Sequence, residues 1–369
     1  MKGFFIMSQA HIKALQAKLT EKGADAALLT DQRNQRYLSG FDYDDGYVLV
    51  TKRNAYLITD FRYMEAATAA SASFMTVEAP EGRGGMMIFI SEVLRQEECG
   101  TLLFEEENVS CADYQRFAER FPEIKLESGA SEILTGLRMV KDEEELAAMA
   151  RAQAITDAAF EHIVKTIRPD EMTEIDVALE LEFFMRSHGA EGLAFNTIAV
   201  SGSASSRPHG VPRNQKLERG FLTMDFGARV DGYCSDMTRT VVIGKADADM
   251  KKLYNTVLRA QTEALAAAKE GISCRALDKI ARDIIDGAGY EGRFGHSLGH
   301  GVGLLIHESP SLAQGAAEDA VLKRGNTFTV EPGIYIEGLY GCRIEDMCCI
   351  RPDGTTTDFT HSPKELIEL

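Results

Sequence analysis

A chain of 369 residues, 44% of them hydrophobic, has room for two or three domains and enough apolar side chains to bury a full core. Its formal net charge of −17 argues against nucleic acid or an anionic membrane as a partner, because both surfaces repel it. The seven cysteines are scattered without a C-x-x-C pair, which suits reduced thiols in a cytoplasmic protein; no stretch approaches the ~18 apolar residues of a membrane span, and the run Phe4–Met7 is too short for a secretory signal, which leaves Met7 as an alternative start.

Residues 8–132 alternate between helical and strand patterns. Gln9–Lys22 carries Ile12, Leu15 and Leu19 on one helical face. Apolar runs of strand length follow at Ala26–Leu29, Tyr47–Val50, Tyr56–Thr59, Phe74–Val77 and Leu102–Phe104. Helical stretches lie between them near Tyr63–Ala72, Met86–Leu94 and Ala112–Phe121. Short apolar runs interleaved with helices predict a layered α/β domain. It shows no catalytic constellation, and its charges read as a solvated surface.

A second domain is expected over residues 138–369. A helix from Asp142 to Ile167 opens with acidic residues that complement its dipole. Another starts at Thr173, whose hydroxyl can cap it with Asp176 three residues on, and ends near His188–Gly189. A Gly/Ser-rich loop and strands come next. The pattern then recurs about one hundred residues later, with helices over Asp247–Glu270 and Cys274–Gly287, a Gly-rich segment and more strands. Two helix-helix-hairpin units suggest an internal duplication.

The chemistry concentrates in that second domain. In Phe221–Ile243, two strand-like runs flank the turn signal Asp231–Gly232, so a hairpin brings Asp225 and Asp236 roughly opposite one another. Two carboxylates that close repel unless a cation lies between them. Taken alone, the pair is equally explained by a turn cap and an exposed acid. In Thr327–Ile350 a turn at Glu337–Gly338 and Tyr340–Gly341 sets Glu331 and Glu345 on two apolar arms, where carboxylates rarely go unpaired. They could pair with Arg343 and surface lysines, but two such hairpins weaken that alternative, since together they deliver four carboxylates to one pseudosymmetric place. The segment Gly295–Glu308 adds His296, His300 and His307. Three histidines among glycines point to a site. Four carboxylates and an imidazole balance two divalent cations, and the oxygen-rich set favours Mn²⁺ over Co²⁺, Fe²⁺ or Zn²⁺. Two such ions can lower the pKa of a shared water to about 7 and polarise a carbonyl, which makes amide hydrolysis the natural outcome. His307 and His209 are candidates for stabilising the oxyanion and moving protons, although His209 alone reads as a loop residue.

The strings MDFGARVDGYCSDMTRT, GHSLGHGVGLLIHE, TVEPGIYI and GCRIED together resemble the metal-binding motifs of the aminopeptidase P and prolidase family. NQRYLSGF and TDFRY resemble that family's N-terminal domain, similar to that of creatinase, and GLRMVKDEEE the start of its catalytic domain. The resemblance covers nearly the whole chain. It implies an α/β N-terminal domain followed by a pita-bread catalytic domain, and a homodimer. It implies that Asp236 and Glu345 bridge two ions, that Asp225 binds one, and that His300 and Glu331 bind the other. His209 and His307 would contact the scissile carbonyl and the tetrahedral intermediate, and His296 would line a proline pocket. Thr238, Tyr335 and Arg343 would orient the ligand carboxylates. Two positions depart from the family pattern. Leu305 stands where an acidic residue is usual, and Ser311 where many prolidases carry an arginine that reads a dipeptide's free carboxylate. The second departure tilts the expectation toward Xaa-Pro aminopeptidase, acting on short proline-containing peptides, with Xaa-Pro dipeptidase as the alternative. Methionine aminopeptidase fits less well because of the N-terminal domain. The intact five-residue set argues against a metal-free creatinase-like enzyme and, with His209, against a non-enzymatic binding protein.

Overall fold

The computed structural model describes residues 4–70, 73–80 and 84–369. The chain divides into two compact units, Met1–Arg138 and Met139–Leu369.

The first unit is a mixed six-stranded sheet with helices. In chain order it runs α1 (Phe4–Lys22), β1 (Ala26–Leu29), α2 (Gln32–Ser39), β2 (Gly46–Thr51), β3 (Ala55–Thr59), α3 (Met64–Ala70), β4 (Met75–Glu78), α4 (Gly85–Gln96), β5 (Thr101–Phe104), α5 (Cys111–Arg120), β6 (Lys125–Ser128) and α6 (Ala130–Arg138). The strand order is β4-β3-β2-β1-β5-β6. Pairs β1–β2 and β2–β3 are antiparallel and the other three parallel. The central strand β1 is buried along its length, which is why it reads as an unbroken apolar run. The expected strands match within two residues, and α1 ends at Lys22 as expected but starts at Phe4, five residues before Gln9. The end of the expected helix at Ala72 and the start Met1–Gly3 lie outside the described residues. The sequence reading missed α2, α6 and β6. Helix α2 lacks an apolar stripe because three of its five buried residues, Asn34, Gln35 and Ser39, are polar. Asn34 donates to Glu105 Oε1 (2.7 Å) and accepts from Arg138 Nη1 (2.9 Å), and Gln35 donates to the Leu29 carbonyl (3.0 Å).

The second unit begins with α7 (Glu143–Thr166) and α8 (Glu174–Ser187), followed by β7 (Gly192–Leu193), β8 (Ile198–Ser201), β9 (Gly220–Phe226), β10 (Ala228–Val230), β11 (Tyr233–Cys234) and β12 (Met237–Ile243). It continues with α9 (Ala248–Ala267), α10 (Cys274–Ile285), β13 (Gly299–Gly301), β14 (Glu308–Leu312), β15 (Thr327–Val330), β16 (Gly333–Ile336), β17 (Tyr340–Arg343), β18 (Asp346–Ile350) and β19 (Thr356–Asp358). Asp142 caps α7 in a capping box with Glu145, and Thr173 caps α8 in one with Asp176. Helices α9 and α10 stop three and two residues before the expected ends, and a five-residue π turn from Asp286 to Tyr290 follows α10. The helix pairs recur with a further shared detail. The residue capping the second helix of each pair, Thr173 or Ser273, makes an isolated antiparallel bridge, to Lys216 and to Val321 respectively. Two apolar clusters mirror the repeat, one around α8 and β9 and one around α9, α10 and β15. Among the described residues no helix is long and apolar enough to cross a membrane, and all seven cysteines are free.

Glu174, fully buried at the start of α8, ties the first helix pair to the strands. It accepts from Ser201 N (2.7 Å) and Oγ (2.8 Å) and from Arg213 Nη2 (2.6 Å) and Nε (2.8 Å). Burial opposes its ionisation, but the Arg213 and Ser201 hydrogen bonds outweigh that and lower its pKa. A lowered carboxylate contributes stability above its ordinary pKa and loses it as pH falls through the lowered value. Glu174→Ala strands the Ser201 and Arg213 donors and should cost about 3 kcal/mol at pH 7. Urea titration should show a lower midpoint at unchanged slope, with the difference from wild type shrinking below about pH 4.

Candidate metal centre

Two antiparallel hairpins bring the carboxylates together. In the first, Asp225 pairs with Thr238 and Phe226 with Met237, and the ladder resumes in the same register at Arg229 and Cys234. Asp231 and Gly232 turn it, both at positive φ (52° and 88°). The break between the two stretches holds Gly227 and Asp236. A Cβ on Gly227 would stand 2.0 Å from the Ser235 carbonyl oxygen, so the backbones close up only around glycine. Strand alternation puts Asp225 and Asp236 on one face, diagonally placed rather than opposite. In the second hairpin Val330 pairs with Asp346 and Gly333 with Arg343, again one register, so Glu331 and Glu345 face each other across the break. Its turn is Glu337–Leu339; Tyr340 and Gly341, expected in the turn, belong to β17.

The hairpins are fastened to each other. Glu345 N donates to the Thr238 carbonyl (3.1 Å), Thr240 Oγ1 to the Arg343 carbonyl (2.9 Å), and Thr238 Oγ1 to Glu345 Oε2 (2.6 Å). Beside them Arg239, 1% exposed, donates to the Glu345 carbonyl (2.6 Å), to Asp346 Oδ1 (2.8 Å) and to the Ser362 carbonyl (2.8 Å). Lys364 also meets Asp346. The sequence reading missed this clamp. Its signal was an arginine inside the apolar strand TRTVVI and an aspartate immediately after Glu345.

The fifth candidate, His300, comes from β13. Its Nδ1 donates to the Gly301 carbonyl (3.0 Å). That leaves Nε2 facing Glu331 Oε1 at 3.2 Å and Asp236 Oδ2 at 3.6 Å. Arg343, which could have paired with Glu331 and Glu345, donates instead to Asp225 Oδ2 (2.6 Å), Thr238 Oγ1 (2.9 Å) and the Tyr335 hydroxyl (2.8 Å). The Tyr335 hydroxyl in turn donates to His296 Nε2 (3.0 Å), whose Nδ1 donates to the Ser297 carbonyl (2.9 Å). Burial lowers the His296 pKa, which suits this neutral form.

All five candidate ligands line one cavity of about 550 Å³, together with His209, His296, His307 and Arg343. Thr238 and Tyr335 sit behind it and reach it through the hydrogen bonds above. His209 and His307 are exposed, and the His307 ring stands edge-on to His300 with centroids 4.3 Å apart. Phe195, Ile198, Val211, Pro212 and Ile306 give the cavity apolar walls. The sequence reading did not find them, because an apolar wall carries no motif.

The electrostatics are those of a cation site. Asp236 and Glu345 are 4% and 2% exposed. Burial first, and then the neighbouring carboxylates, push both well above the ordinary carboxylate range. Asp225 is raised too, by burial above all, against the pull of Arg343. Glu331 differs: burial opposes its ionisation, but the hydrogen bond and charge of His300 prevail and hold it at about 2. Asp225 Oδ1 is buried without a hydrogen-bond partner. Ligand atoms of Asp236, His300 and Glu345 lie within 4.8 Å of one another. Hard oxygen donors, an imidazole lone pair and uncompensated negative charge fit divalent cations.

Comparison with known proteins agrees with this architecture. The family model for metallopeptidase family M24 matches residues 147–352, and that for the creatinase/prolidase N-terminal domain matches residues 11–140. An uncharacterized peptidase of Bacillus subtilis, YqhT, is 39% identical over 97% of this chain and 99% of its own length. An Xaa-Pro dipeptidase of Pyrococcus furiosus is 36% identical, covering 95% of this chain and 97% of that protein. Among solved structures, an Xaa-Pro dipeptidase from Bacillus anthracis has a TM-score of 0.92 at 40% identity, covering 98% of this chain and all of that one. An X-Pro aminopeptidase from Thermotoga maritima has a TM-score of 0.88 at 36% identity, covering 94% and 98%. The chain therefore belongs to metallopeptidase family M24, with a creatinase/prolidase N-terminal domain ahead of a pita-bread domain.

Proposed function

We propose that this metallopeptidase is an Xaa-Pro aminopeptidase, which releases the residue before proline from peptides longer than two residues. The observation that carries the reading is the single cavity that gathers Asp225, Asp236, His300, Glu331 and Glu345 with His209, His296 and His307. Names borne by M24 relatives and structural neighbours, Xaa-Pro dipeptidase and X-Pro aminopeptidase, support the class of bond. In this reading Asp236 and Glu345 would be shared between two divalent ions, Asp225 would hold one, and His300 and Glu331 would hold the other. Bound there, the ions supply a water of lowered pKa and polarise the scissile carbonyl.

The chain's own groups do the rest. The Gly301 carbonyl keeps the proton on His300 Nδ1, so Nε2 presents a lone pair. Thr238 fixes one oxygen of Glu345 and leaves the other free. Arg343 neutralises Asp225 and holds Tyr335 against His296. His307, its pKa lowered chiefly by partial desolvation at the cavity wall, enters the reaction neutral. With His209 it contacts the carbonyl oxygen as negative charge develops, and it can take the proton that the attacking water loses and hand it to the leaving nitrogen. His296 lines the side that receives proline.

The preference for longer peptides rests on charge. Among the residues lining the cavity, Arg343 is the sole lysine or arginine, and its guanidinium is committed to Asp225, Thr238 and Tyr335. No free cation among them awaits a dipeptide's carboxylate. The dipeptidase reading keeps a claim from the relatives that bear that name. Manganese as the native metal is favoured by the four carboxylates, with Co²⁺, Fe²⁺ and Zn²⁺ as competitors. A cytoplasmic setting is supported by the seven free cysteines. The homodimer follows from family resemblance.

Metal-stripped enzyme should be inactive and regain activity with Mn²⁺, releasing alanine from Ala-Pro-Ala but not from Ala-Ala-Ala. Cleavage of Ala-Pro alone would make it a dipeptidase. Asp236→Ala and Glu345→Ala should each abolish turnover, and native turnover in either rules the site out. His307→Ala should cut kcat about a hundredfold with bound metal unchanged; parallel loss of metal would disprove its role.

A carboxyl whose pKa rises on folding costs stability above its ordinary pKa and nothing below it. Glu345→Gln should therefore raise the Tm of the metal-free protein at pH 7 by a few degrees, the shift that about 1 kcal/mol gives in a domain of this size. The same change should weaken divalent-ion binding in titration calorimetry, and a lower metal-free Tm would contradict the charge argument.

A further inference from the structure

The loop that carries His307 is fastened from behind by a buried ion pair. Lys141 Nζ lies 2.5 Å from Glu308 Oε1, with side chains 1% and 7% exposed. Desolvating two such charges costs about as much as their attraction returns, so the pair is weak evidence of stability and invites another explanation. Both ends are anchored. Lys141 N donates to the Gly325 carbonyl (2.8 Å), and Asn326 Nδ2 donates to the Met139 carbonyl (3.0 Å). The lysine is thereby fixed to the turn that leads into β15 and on to Glu331. At the other end the Glu308 carboxylate packs on Gly303, where a Cβ would stand 2.2 Å from Oε1. Gly303 also accepts from Cys234 N (2.8 Å) and donates to the Leu305 carbonyl (2.9 Å).

Between Val302 and His307 the chain has no helix or strand, and β14 starts at Glu308. The direction of His307 is therefore set by the loop's two ends. Neither Lys141 nor Glu308 is among the residues that line the cavity. We propose that Lys141 and Glu308 are a positioning pair: the bond between them holds the Gly303–Glu308 loop so that His307 faces the scissile carbonyl. The inference rests on the Xaa-Pro peptidase reading for what His307 contacts, and on geometry alone for what holds the loop.

The test compares the holoenzyme with Lys141→Met, Glu308→Gln and the double variant. It reads amide hydrogen exchange over residues 302–309, bound metal, Tm, and kcat and KM on Ala-Pro-Ala. Each single change should speed exchange in that segment about tenfold while leaving Phe221–Ile243 protected. Each should cut kcat about a hundredfold, the scale on which displacement by about 1 Å is felt. KM and metal content should stay within about threefold of native. The double variant strands no charge and should regain the native Tm, yet recover neither the exchange protection nor kcat. Recovery of both would reduce the pair to mutual charge compensation and overturn the proposal, as would native kcat in Lys141→Met. A wild type inert toward every Xaa-Pro peptide would instead sink the functional reading, and the exchange comparison would still decide whether the pair holds the loop.

Discussion

Four carboxylates crowded around one cavity repel each other, and much of the catalytic unit serves to hold them there. Asp236 and Glu345 show the strain most clearly, since burial and their neighbours push both above the ordinary range. Three positive or polarisable groups answer it inside the protein. Arg343 takes Asp225, His300 takes Glu331, and Thr238 takes one oxygen of Glu345. These leave Asp225 Oδ1 and the Asp236–Glu345 pair uncompensated, which is where a cation gains most.

The means of holding them is a repeated hairpin, used in two ways. In the first copy Gly227 interrupts the ladder and the two aspartates fall diagonally. In the second the two glutamates face each other. The extra methylene of glutamate and the opposed placement let the second hairpin reach toward the first. Arg239 and Asp346 lie one residue beyond Thr238 and Glu345, and their ion pair of 2.8 Å ties the strands together on the side away from the cavity. The histidines break the symmetry, since His296, His300 and His307 all come from the segment between α10 and β15.

In the proposed reading, substrate choice follows from which charges are spoken for. A cavity whose one guanidinium is already bonded to Asp225, Thr238, Tyr335 and the Pro208 carbonyl offers a peptide apolar walls and histidines rather than a counter-charge for its C-terminus. In that reading, the metal side of the cavity and the specificity side thus use the same arginine, and its commitment to the first limits what it can do for the second.

The sequence alone determined the helix caps, both hairpins and the five clustered donors, because each is written in local terms: an acid at a helix start, Asp-Gly between apolar runs, or a carboxylate where only apolar residues belong. It also marked β1, whose burial on both faces leaves an unbroken apolar run. It did not reveal α2, whose buried residues include Asn34 and Gln35, bonded to groups up to 104 residues away. Nor did it reveal that Arg343 serves Asp225 rather than the glutamates, that Arg239 clamps Asp346, or that Lys141 reaches Glu308 across 167 residues. Periodicity reports which face of an element is buried. The partner that meets a buried charge is chosen by packing between distant segments, and only the tertiary structure decides that.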